Sequence, residues 1–506
     1  MARYGSIADS LRFFPVHTMF SLPITLSHAH HSPYKQQIAR QIESLISSGR
    51  LQDGNRLPSI SRMASLLQVS KNTVMGAYDL LIDSNLIHSE PSRGFFVTPH
   101  QQRRARDTDP DFVLELDTDI DMDAVNPARA SGVHVPPPPV PIRFDFKVGR
   151  PSVHAFPLRQ FIHLSNQLLR HAGAAMSDYT PPEGLWGLRL QIADYLSATK
   201  GIKADPEDVL ITAGSQEALS LITSHFLDHN SSAVYETPSY TGFYNLLRRH
   251  RAHAYAVPVD QEGLCTDQLP EQSVRLAFVT PSHQYPLGHT MSMARRQRLL
   301  EWAGRSGSLI IEDDYDGDFC YGAALPPPLA AMSPRQVIYL GSFSKTLGPG
   351  LRLGYMVCPP ALTKDFIERK ALLNNGSPWL TQAVLARYFD EYNFARHLQI
   401  LRRRYLEQRN ALMQGLTAIW DGAGTISGQN AGMHLAFRLP DNSPSAHALA
   451  NAALHYGIRL YPLEQAASRE PDTANPRHLL FGYACLSPAE IHQAMDLLSM
   501  VQRAIA

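Results

Sequence analysis

The sequence predicts an α/β protein in two parts, a small unit of three helices and a hairpin followed by a large domain. Between residues 34 and 97, apolar side chains recur at three-to-four spacing and then alternate briefly, which is typical of helices followed by two strands. From about residue 143, short apolar strands such as DVLITAG and SLIIEDD alternate with amphipathic helices. That alternation predicts a mostly parallel sheet with helices on both faces.

Charge and cysteine content limit the class of protein. Among 506 residues, 46 Lys and Arg balance 46 Asp and Glu, so any contact with nucleic acid has to be local. The four cysteines show no C-x-x-C pair, and no run of about 18 apolar residues occurs. We therefore expect a reduced, cytoplasmic protein without a membrane span, and we predict no metal site.

Changes in composition divide the chain into four segments. Residues 1–30 show no usable period and stay unassigned, and residues 31–99 form the small unit. Residues 100–142 combine a basic cluster, an acidic run and four consecutive prolines, which indicates an extended linker because such a composition buries little apolar area. The large domain takes residues 143–506.

Apolar stripes and turn residues divide the small unit into elements. The first helix ends near Gly49, the second begins after Pro58 and Ser59, and the third begins after Ser70, which suits an N-cap. The segment LIHSEPSRGFFVT then forms two short strands joined by a turn. The side chains expected to face the core are Ile38, Ile42, Leu45, Ile46 and Leu51, then Met63, Leu66 and Leu67, and finally Val74, Ala77, Tyr78 and Leu81.

This order of elements predicts a winged helix-turn-helix, whose third helix enters the DNA major groove with its N-terminal residues near the bases. Lysine there suits guanine or phosphate, asparagine suits adenine, and threonine suits phosphate or a thymine methyl group. The predicted DNA-binding residues are Arg62, Ser70, Lys71, Asn72, Thr73, Arg93 and Gly94, with Arg62 and the hairpin turn on phosphate or in the minor groove. Taken singly, Ser70 is equally explained as a helix cap, and the basic residues as a solvated surface.

The stretch from PYKQQIARQIESLI to SEPSRGFFV resembles the GntR family of bacterial regulators over the whole small unit. The resemblance implies double-stranded promoter or operator DNA as the partner. Gly76 stands where some members of that family have a basic residue that contacts DNA, so that contact is not expected here.

In the large domain, the segment YLGSFSKTLGPGLRLGY ends an apolar strand in a turn of small residues that carries one lysine, Lys345. A lysine can form a Schiff base with an aldehyde cofactor. Ser342, Ser344 and Arg352 around it suit a phosphate group, because hydroxyls donate hydrogen bonds and a guanidinium binds anions as a charged fork.

Two further segments carry groups of the kind that a pyridine ring and a phosphate require. SLIIEDDYDGDF ends a strand in carboxylates, among which we assign Asp313 to a protonated pyridine nitrogen and Tyr315 to the ring oxygen. ITAGSQEALSLIT places Gly214, Ser215 and Gln216 at a helix start, where backbone N–H groups and the helix dipole attract an anion.

YETPSYTGF adds Tyr240, whose ring suits stacking on a flat cofactor, and DYTPPEGLWG adds Tyr179. In order and spacing, these segments resemble the fold type I pyridoxal-phosphate enzymes of the aminotransferase group over about 143–500. The resemblance implies pyridoxal 5'-phosphate as the cofactor, a smaller C-terminal α+β subdomain, and a homodimer, because the pockets of that group lie between subunits. It makes Lys345 the Schiff-base lysine, Asp313 the pyridinium partner, Tyr315 the ring-oxygen partner and Tyr240 the stacking ring, gives the phosphate to Gly214, Ser215, Gln216, Ser342, Ser344 and Arg352, and brings Tyr179 from the neighbouring chain.

A GntR-like reader joined to an aminotransferase-like domain is the arrangement of the MocR family of regulators, which the segments TPSHQYPLGHTM and IEDDYDGDF also resemble. Aminotransferases usually have Asn at the position of Tyr285, and the regulators that sense gamma-aminobutyrate have Arg at the position of Gly242. The carboxylate-binding Arg of aminotransferases aligns near Leu480, and the nearby Arg477 is out of register. These departures predict at most a partial or vestigial transaminase activity.

Three functions remain open at this point. The first is a DNA-binding regulator that holds pyridoxal phosphate through Lys345 and senses the cofactor itself, a small amine or an amino acid. The second is an active aminotransferase with a DNA-targeting unit, and the third is a scaffold whose lysine is unused. Because of the linker, the spacing of the DNA half-sites cannot be predicted.

Overall fold

The computed structural model describes residues 24, 26, 33–47, 50–83, 86–90, 93–99, 140–152, 155–322, 325–392, 394–466 and 477–505. These residues fall into two compact units, which divide within 100–139. The unassigned tail, apart from Ile24 and Leu26, and the predicted linker up to residue 139 lie outside the described residues.

The N-terminal unit is a three-helix core with a two-stranded antiparallel hairpin. Its elements are α1 (Tyr34–Ser47), α2 (Ile60–Leu67), α3 (Lys71–Asp83), β1 (Ile87–Glu90) and β2 (Gly94–Val97). The side chains of α1 and α3 that were predicted to face inward are buried. Tyr78 Oη, in α3, donates to the Pro58 carbonyl oxygen at 2.8 Å and so ties α3 to the start of α2. Ile24 also packs into this core, which no sequence pattern predicted.

The prediction that Leu66 faces this core is wrong, since the residue is 63% exposed. The buried face of the eight-residue α2 is formed by Met63 and Ala64, with Ile60 and Leu67 packed beside them. Leu66 follows Ala64 by two residues, which is about 200° around a helix of 3.6 residues per turn, and it therefore faces solvent.

An eight-stranded sheet forms the centre of the large domain, which begins with β3 (Phe144–Asp145) outside that sheet. The sheet consists of β4 (Val209–Thr212), β5 (Ser232–Thr237), β6 (His253–Asp260), β7 (Gly263–Leu264), β8 (Leu276–Val279), β9 (Leu309–Asp314), β10 (Val337–Ser342) and β11 (Gly354–Val357), in the spatial order β4-β11-β10-β9-β8-β5-β6-β7. Pairing is parallel from β10 through to β6, while β11 is antiparallel to both of its neighbours and β7 is antiparallel to β6. The predicted mostly parallel sheet is confirmed.

Helices cover both faces of this sheet. They are α4 (Leu158–Arg170), α5 (Trp186–Lys200), α6 (Ser215–Phe226), α7 (Thr241–His250), α8 (Met293–Ser306), α9 (Leu329–Met332), α10 (Pro360–Asn374), α11 (Trp379–Tyr392) and α12 (Phe394–Ile419). Along β10, Val337 and Tyr339 belong to the core that includes α5 and α8, whereas Ile338 and Leu340 belong to the core that includes α6 and α7. Both faces of the strand are therefore buried, which explains its continuous apolar sequence.

A smaller α+β subdomain ends the chain, as predicted. Its elements are β12 (Thr425–Ser427), β13 (His434–Arg438), α13 (Ala446–Leu454), β14 (Ile458–Arg459), β15 (Tyr461–Pro462), α14 (Leu463–Ala466), β16 (His478–Gly482) and α15 (Pro488–Ile505). Strands β12, β13, β16 and β15 form an antiparallel sheet, and β14 pairs in parallel with β3. None of the helices in the described part of the chain combines the length and the apolar character needed to span a membrane.

Candidate functional site

Most of the predicted cofactor residues lie at one edge of the large sheet. Strands β4, β5, β8, β9 and β10 run in the same direction, so their carboxyl ends share this edge. Asp313 is near the end of β9, Ser342 ends β10 and Gly214 follows β4. Ligands of open α/β sheets bind outside the carboxyl ends of the strands.

Lys345 lies in the turn after β10 and is held by the backbone. Its Nζ donates to the Gly149 carbonyl oxygen at 2.8 Å. Gly149 has φ +76°, and a Cβ there would lie 2.9 Å from that Nζ, so a side chain would both strain the backbone and crowd the lysine. Burial lowers the pKa of Lys345, while the carboxylates of Asp316 and Asp313 act in the opposite direction. A lysine with a lowered pKa loses its proton more easily and is a better nucleophile.

Asp313 and Asp314 are adjacent on β9 but have different partners, because successive side chains of a strand face opposite sides of the sheet. Asp313 accepts a hydrogen bond from Ser215 Oγ at 3.3 Å. Burial raises the pKa of Asp313 to about 7, and the charge of Asp314 adds to this effect. Burial would also raise the pKa of Asp314, but its ion pair with Lys200 and the hydrogen bond from Tyr339 Oη, at 2.5 Å, hold that pKa below its usual value. Of these two carboxylates, Asp313 is therefore the one that forms no salt bridge among the described residues.

The start of α6 and the connection between β10 and β11 carry the groups predicted to bind an anion, here called the anion-binding arrangement. Gly214 precedes α6 with φ +104°, a conformation that favours glycine. A Cβ at Gly214 would lie 3.8 Å from Arg352 Nη1, and in the described part of the chain Arg352 forms no salt bridge. Ser342 Oγ accepts a hydrogen bond from the Ser344 backbone N–H at 3.1 Å. Helix N–H groups, hydroxyls and a guanidinium suit a phosphate.

Three tyrosines, at positions 240, 285 and 315, contact one another in a row. Tyr240 and Tyr285 meet edge to face with ring centroids 6.2 Å apart, and Tyr285 meets Tyr315 in the same way at 5.9 Å. Tyr240 Oη donates to Gln216 Oε1 at 3.1 Å. A Cβ at Gly242 would lie 2.3 Å from Gln216 Oε1 and from the Tyr240 ring, so the absence of an arginine there has a steric reason.

Tyr179 is not brought together with the other predicted residues. It is 83% exposed, and no hydrogen bond joins it to them within the described residues. Its contact with a neighbouring chain stays a prediction.

Sequence reasoning missed a buried polar cluster beside Lys345. His283 Nδ1 lies 3.0 Å from Asp316 Oδ2 and 3.2 Å from Tyr315 Oη. The His434 ring lies 4.7 Å from the His283 ring, and its Nε2 donates to the Pro286 carbonyl oxygen at 3.0 Å. Burial lowers the pKa of His434 well below its usual value. The two histidines and the carboxylate, with ligand atoms within 4.8 Å of one another, are by residue type also a group that could hold a metal ion.

Neither Arg477 nor Leu480 provides a carboxylate clamp at the predicted cofactor site. Arg477 Nη1 donates to the carbonyl oxygens of Pro440 and Ser443, both at 2.9 Å, in the C-terminal subdomain. Leu480 is fully buried against Ala436. Neither side chain is available to a ligand at the edge of the large sheet.

In the N-terminal unit, the leading end of α3 is exposed. Ser70 Oγ accepts a hydrogen bond from the Thr73 N–H at 3.1 Å and lies 2.8 Å from Thr73 Oγ1, so these two residues cap the helix. Lys71 and Asn72 are exposed, as are Arg62 and Arg93.

The turn of the hairpin is held by a charged side chain. Arg93 pairs with Glu90 at 2.5 Å and lies over the Phe96 ring, 5.6 Å from its centroid. Gly94 has φ +110°, a conformation that the turn requires and that favours glycine. The hairpin therefore exposes an arginine next to a glycine, whose backbone a ligand could approach closely because it has no side chain.

Two family models match the chain, one for each unit. Residues 34–97 match the bacterial regulatory proteins of the gntR family. Residues 144–498 match aminotransferase class I and II. The fold and the site thus define a DNA-binding regulatory unit joined to an aminotransferase-like domain.

Relatives with both units share this arrangement. The chain is 31% identical over 475 residues to the probable rhizopine catabolism regulatory protein MocR of Rhizobium meliloti, covering 92% of this chain and 93% of that protein. It is 30% identical to the uncharacterized HTH-type transcriptional regulator YdeL of Bacillus subtilis, covering 92% and 96%. The crystal structure of LysN, an alpha-aminoadipate aminotransferase of Thermus thermophilus complexed with N-(5'-phosphopyridoxyl)-L-leucine, has a TM-score of 0.65 at 29% identity, covering 72% of this chain and 92% of that one. The chain belongs to the MocR family of HTH-type transcriptional regulators.

Proposed function

We propose that this regulator binds pyridoxal 5'-phosphate through Lys345 and that its DNA binding responds to the cofactor, to a small amine or to an amino acid. The observation that carries the proposal is the half-buried amine of Lys345 and the buried carboxylate of Asp313 at the same sheet edge as the anion-binding arrangement around Gly214 and Arg352. A second support is the similarity to LysN, whose structure contains a phosphopyridoxyl compound.

The side chains present fit such a cofactor. Asp313 is buried with a hydrogen bond from Ser215 and, among the described residues, no cation within salt-bridge distance, so a protonated pyridine nitrogen would supply the charge that it lacks. Arg352 and the start of α6 supply positive charge and donors for a phosphate at the other end. Both ends of the cofactor thus meet groups of complementary charge.

When bound, pyridoxal phosphate supplies an aldehyde and an electron-withdrawing ring. Lys345 would supply the amine that bonds to this aldehyde, Asp313 would hold the proton of the pyridine nitrogen, Tyr315 would donate to the ring oxygen and Tyr240 would cover the ring. The phosphate is bound by Gly214, Ser215, Gln216, Ser342, Ser344 and Arg352, with Tyr179 from a second subunit. Exposed large apolar side chains in the large domain support a homodimer, since Leu158 is 59% exposed and Trp186 is 53% exposed.

The DNA side of the proposal rests on the exposed end of α3 and on the hairpin. Residues 31–99 bind double-stranded operator DNA, residues 100–142 connect the two units, and residues 143–506 bind the effector. A ligand changes DNA affinity only if it binds the competent and incompetent forms differently. An amine that competes with Lys345 for the cofactor aldehyde would have that property.

Absorption spectra of the full-length protein test the proposal. Added pyridoxal phosphate should produce a Schiff-base band in the wild type and in Lys203→Ala, whose lysine is exposed, but not in Lys345→Ala. Affinity for the DNA upstream of its own gene should then shift when cofactor or candidate amines are added. A band without any DNA binding would favour an aminotransferase, and no band in any variant would leave the large domain as a scaffold.

A further inference from the structure

A hydrogen-bonded chain of side chains leads away from the predicted cofactor site through Tyr315. Its members are Tyr315, His283 and Asp316, and the last two are almost fully buried. His283 Nδ1 lies 3.0 and 3.2 Å from the two oxygens of Asp316 and 3.2 Å from Tyr315 Oη. One ring nitrogen thus contacts both a carboxylate and the phenol.

The chemistry of these groups places the protons. A carboxylate only accepts hydrogen bonds, so Nδ1 of His283 carries the proton and donates to Asp316. The same N–H is shared with the Tyr315 oxygen, which accepts. The proton of the Tyr315 hydroxyl is then not used by His283 and is free to be donated to a ligand. Accepting a hydrogen bond makes a hydroxyl a stronger donor, because hydrogen bonds in a chain polarise one another.

Glycine backbones fix the orientation of the imidazole. A Cβ at Gly432 would lie 2.1 Å from His283 Cε1, and Cβ atoms at Gly288 and Gly428 would lie 3.0 and 3.1 Å from Nε2. Nε2 of His283 has no hydrogen-bond partner in the part of the chain that the structure describes. The ring is therefore held by packing on one side and by Asp316 on the other, which leaves Nδ1 a single orientation toward Tyr315.

We propose that His283, oriented by Asp316, is a positioning residue that makes Tyr315 a stronger hydrogen-bond donor to the ring oxygen of the bound cofactor. The inference rests on the proposed pyridoxal-phosphate site. A stronger donor stabilises negative charge on the ring oxygen, and that oxygen then holds the proton of the adjacent Lys345 nitrogen less tightly. His283 consequently lowers the pKa at which the Lys345 nitrogen titrates in the cofactor-bound protein.

The test is a pH titration of the cofactor absorption in the full-length protein. His283→Leu should raise the pKa of the cofactor-bound Lys345 nitrogen by about one unit, the equivalent of one hydrogen bond, and Tyr315→Phe should raise it at least as much. The double variant should show no shift beyond that of Tyr315→Phe, because His283 acts through the phenol. His283→Asn, whose side-chain amide can donate from near the Nδ1 position, should restore part of the wild-type value.

Controls separate this inference from the proposed function and from a loss of folding. Among the described residues, the charges of Asp313, Asp316 and His434 also act on Lys345, so Asp316 is left in place and His283→Asn serves as the milder second variant. An unshifted pKa in His283→Leu, with cofactor still bound, overturns the inference and leaves the proposed function intact. The inference is also overturned if the pKa shifts of His283→Leu and Tyr315→Phe add fully in the double variant.

Two further outcomes count against it. Stoichiometric metal in the purified wild type that is lost in His283→Leu would make the cluster a metal site instead. If the wild type forms no Lys345-dependent band, the proposed function fails, and the inference fails with it.

Discussion

The ammonium of Lys370 and the carboxylate of Glu217 form a buried ion pair, 2.8 Å long, at the first turn of α6. The second oxygen of Glu217 accepts a hydrogen bond from the Ala213 N–H, directly before Gly214, and Asn374 also donates to the carboxylate, at 2.7 Å. This pair therefore fixes the backbone of the predicted phosphate-binding turn, although neither side chain is predicted to contact the cofactor.

Lys370→Met should destabilise the protein by about 3 kcal/mol or more, because the carboxylate of Glu217 is left buried without its cation. The measurement is the urea unfolding transition at neutral pH without cofactor. Adding Glu217→Gln should recover part of the loss, since the uncompensated charge is then removed. Equal stability of Lys370→Met and wild type would show that the pair does not hold the turn.

Asp313→Asn should weaken the binding of pyridoxal phosphate by about tenfold or more, since one hydrogen bond between charged groups is lost. It should leave the stability of the cofactor-free protein unchanged or improved, because burial opposes the charged form of Asp313. Asp314→Asn is the matched control. It removes the partner of Lys200 and should lower the unfolding midpoint more than it changes cofactor affinity.

Glu236 predicts a pH dependence of stability. Burial raises its pKa to about 7 from an ordinary 4.5. The folded protein therefore holds this proton more tightly than the unfolded chain, and the stabilisation by the proton is lost as the pH rises from 4.5 to about 7.

Glu236→Gln removes this contribution. Relative to wild type, the variant should gain stability across the same pH window, which thermal unfolding at closely spaced pH values would measure. A constant difference between the two melting temperatures would contradict the assignment. Burial also raises the pKa values of Asp313 and Glu312 to about 7. Part of the pH dependence of stability should therefore persist in both the wild type and the variant.

Lys71 and Asn72 should affect DNA binding in different ways. Lys71→Ala should weaken binding to all sequences and reduce the slope of log affinity against log salt by about one, as loss of a phosphate contact does. Asn72→Ala should reduce the binding free energy by about 1–3 kcal/mol for DNA with the preferred base pair at the contacted position. Affinity for DNA with another base pair there should change little. Titrations on the operator and on single base-pair variants at several salt concentrations would separate the two.

Gly242→Ala should disturb the cover of the cofactor site. Its Cβ would lie 2.3 Å from both Gln216 Oε1 and the Tyr240 ring, so the hydrogen bond between these side chains must break or the ring must move. We expect weaker pyridoxal-phosphate binding and a loss of about 1–3 kcal/mol in stability from overpacking. An unchanged dissociation constant would indicate that Tyr240 does not cover the ring. Gly187→Ala, where a Cβ meets no atom within 4 Å, is the control.

Local patterns were sufficient to predict the parts of the fold and site whose determinants lie close together in the chain. The helices of the N-terminal unit follow from stripes and caps, and the Ser70 cap forms as expected. Asp313 was assigned in preference to Asp314 from the sequence, and the structure adds a physical difference between the two carboxylates, since Lys200, more than one hundred residues away, pairs with Asp314.

Contacts between distant segments could not be predicted in this way. His283 lies in the segment TPSHQYPLGHTM, but its neighbours Asp316 and His434 belong to other parts of the chain. Nothing in the local sequence indicates that these residues meet. The misplacement of Leu66 has a simpler cause, since an eight-residue helix offers too few turns for its buried face to be read reliably from apolar residues alone.

The burial of Leu480 also bears on how readily evolution or design could place a carboxylate-binding arginine on β16. An arginine at that position would place a guanidinium against Ala436 and Leu463, in a cluster of apolar side chains. A buried charge without a partner costs several kcal/mol, so the first step of such a path would be a loss of stability before any gain in catalysis. Selection would have to repack the strand first, so a clamp at this position would take more than one mutation to acquire.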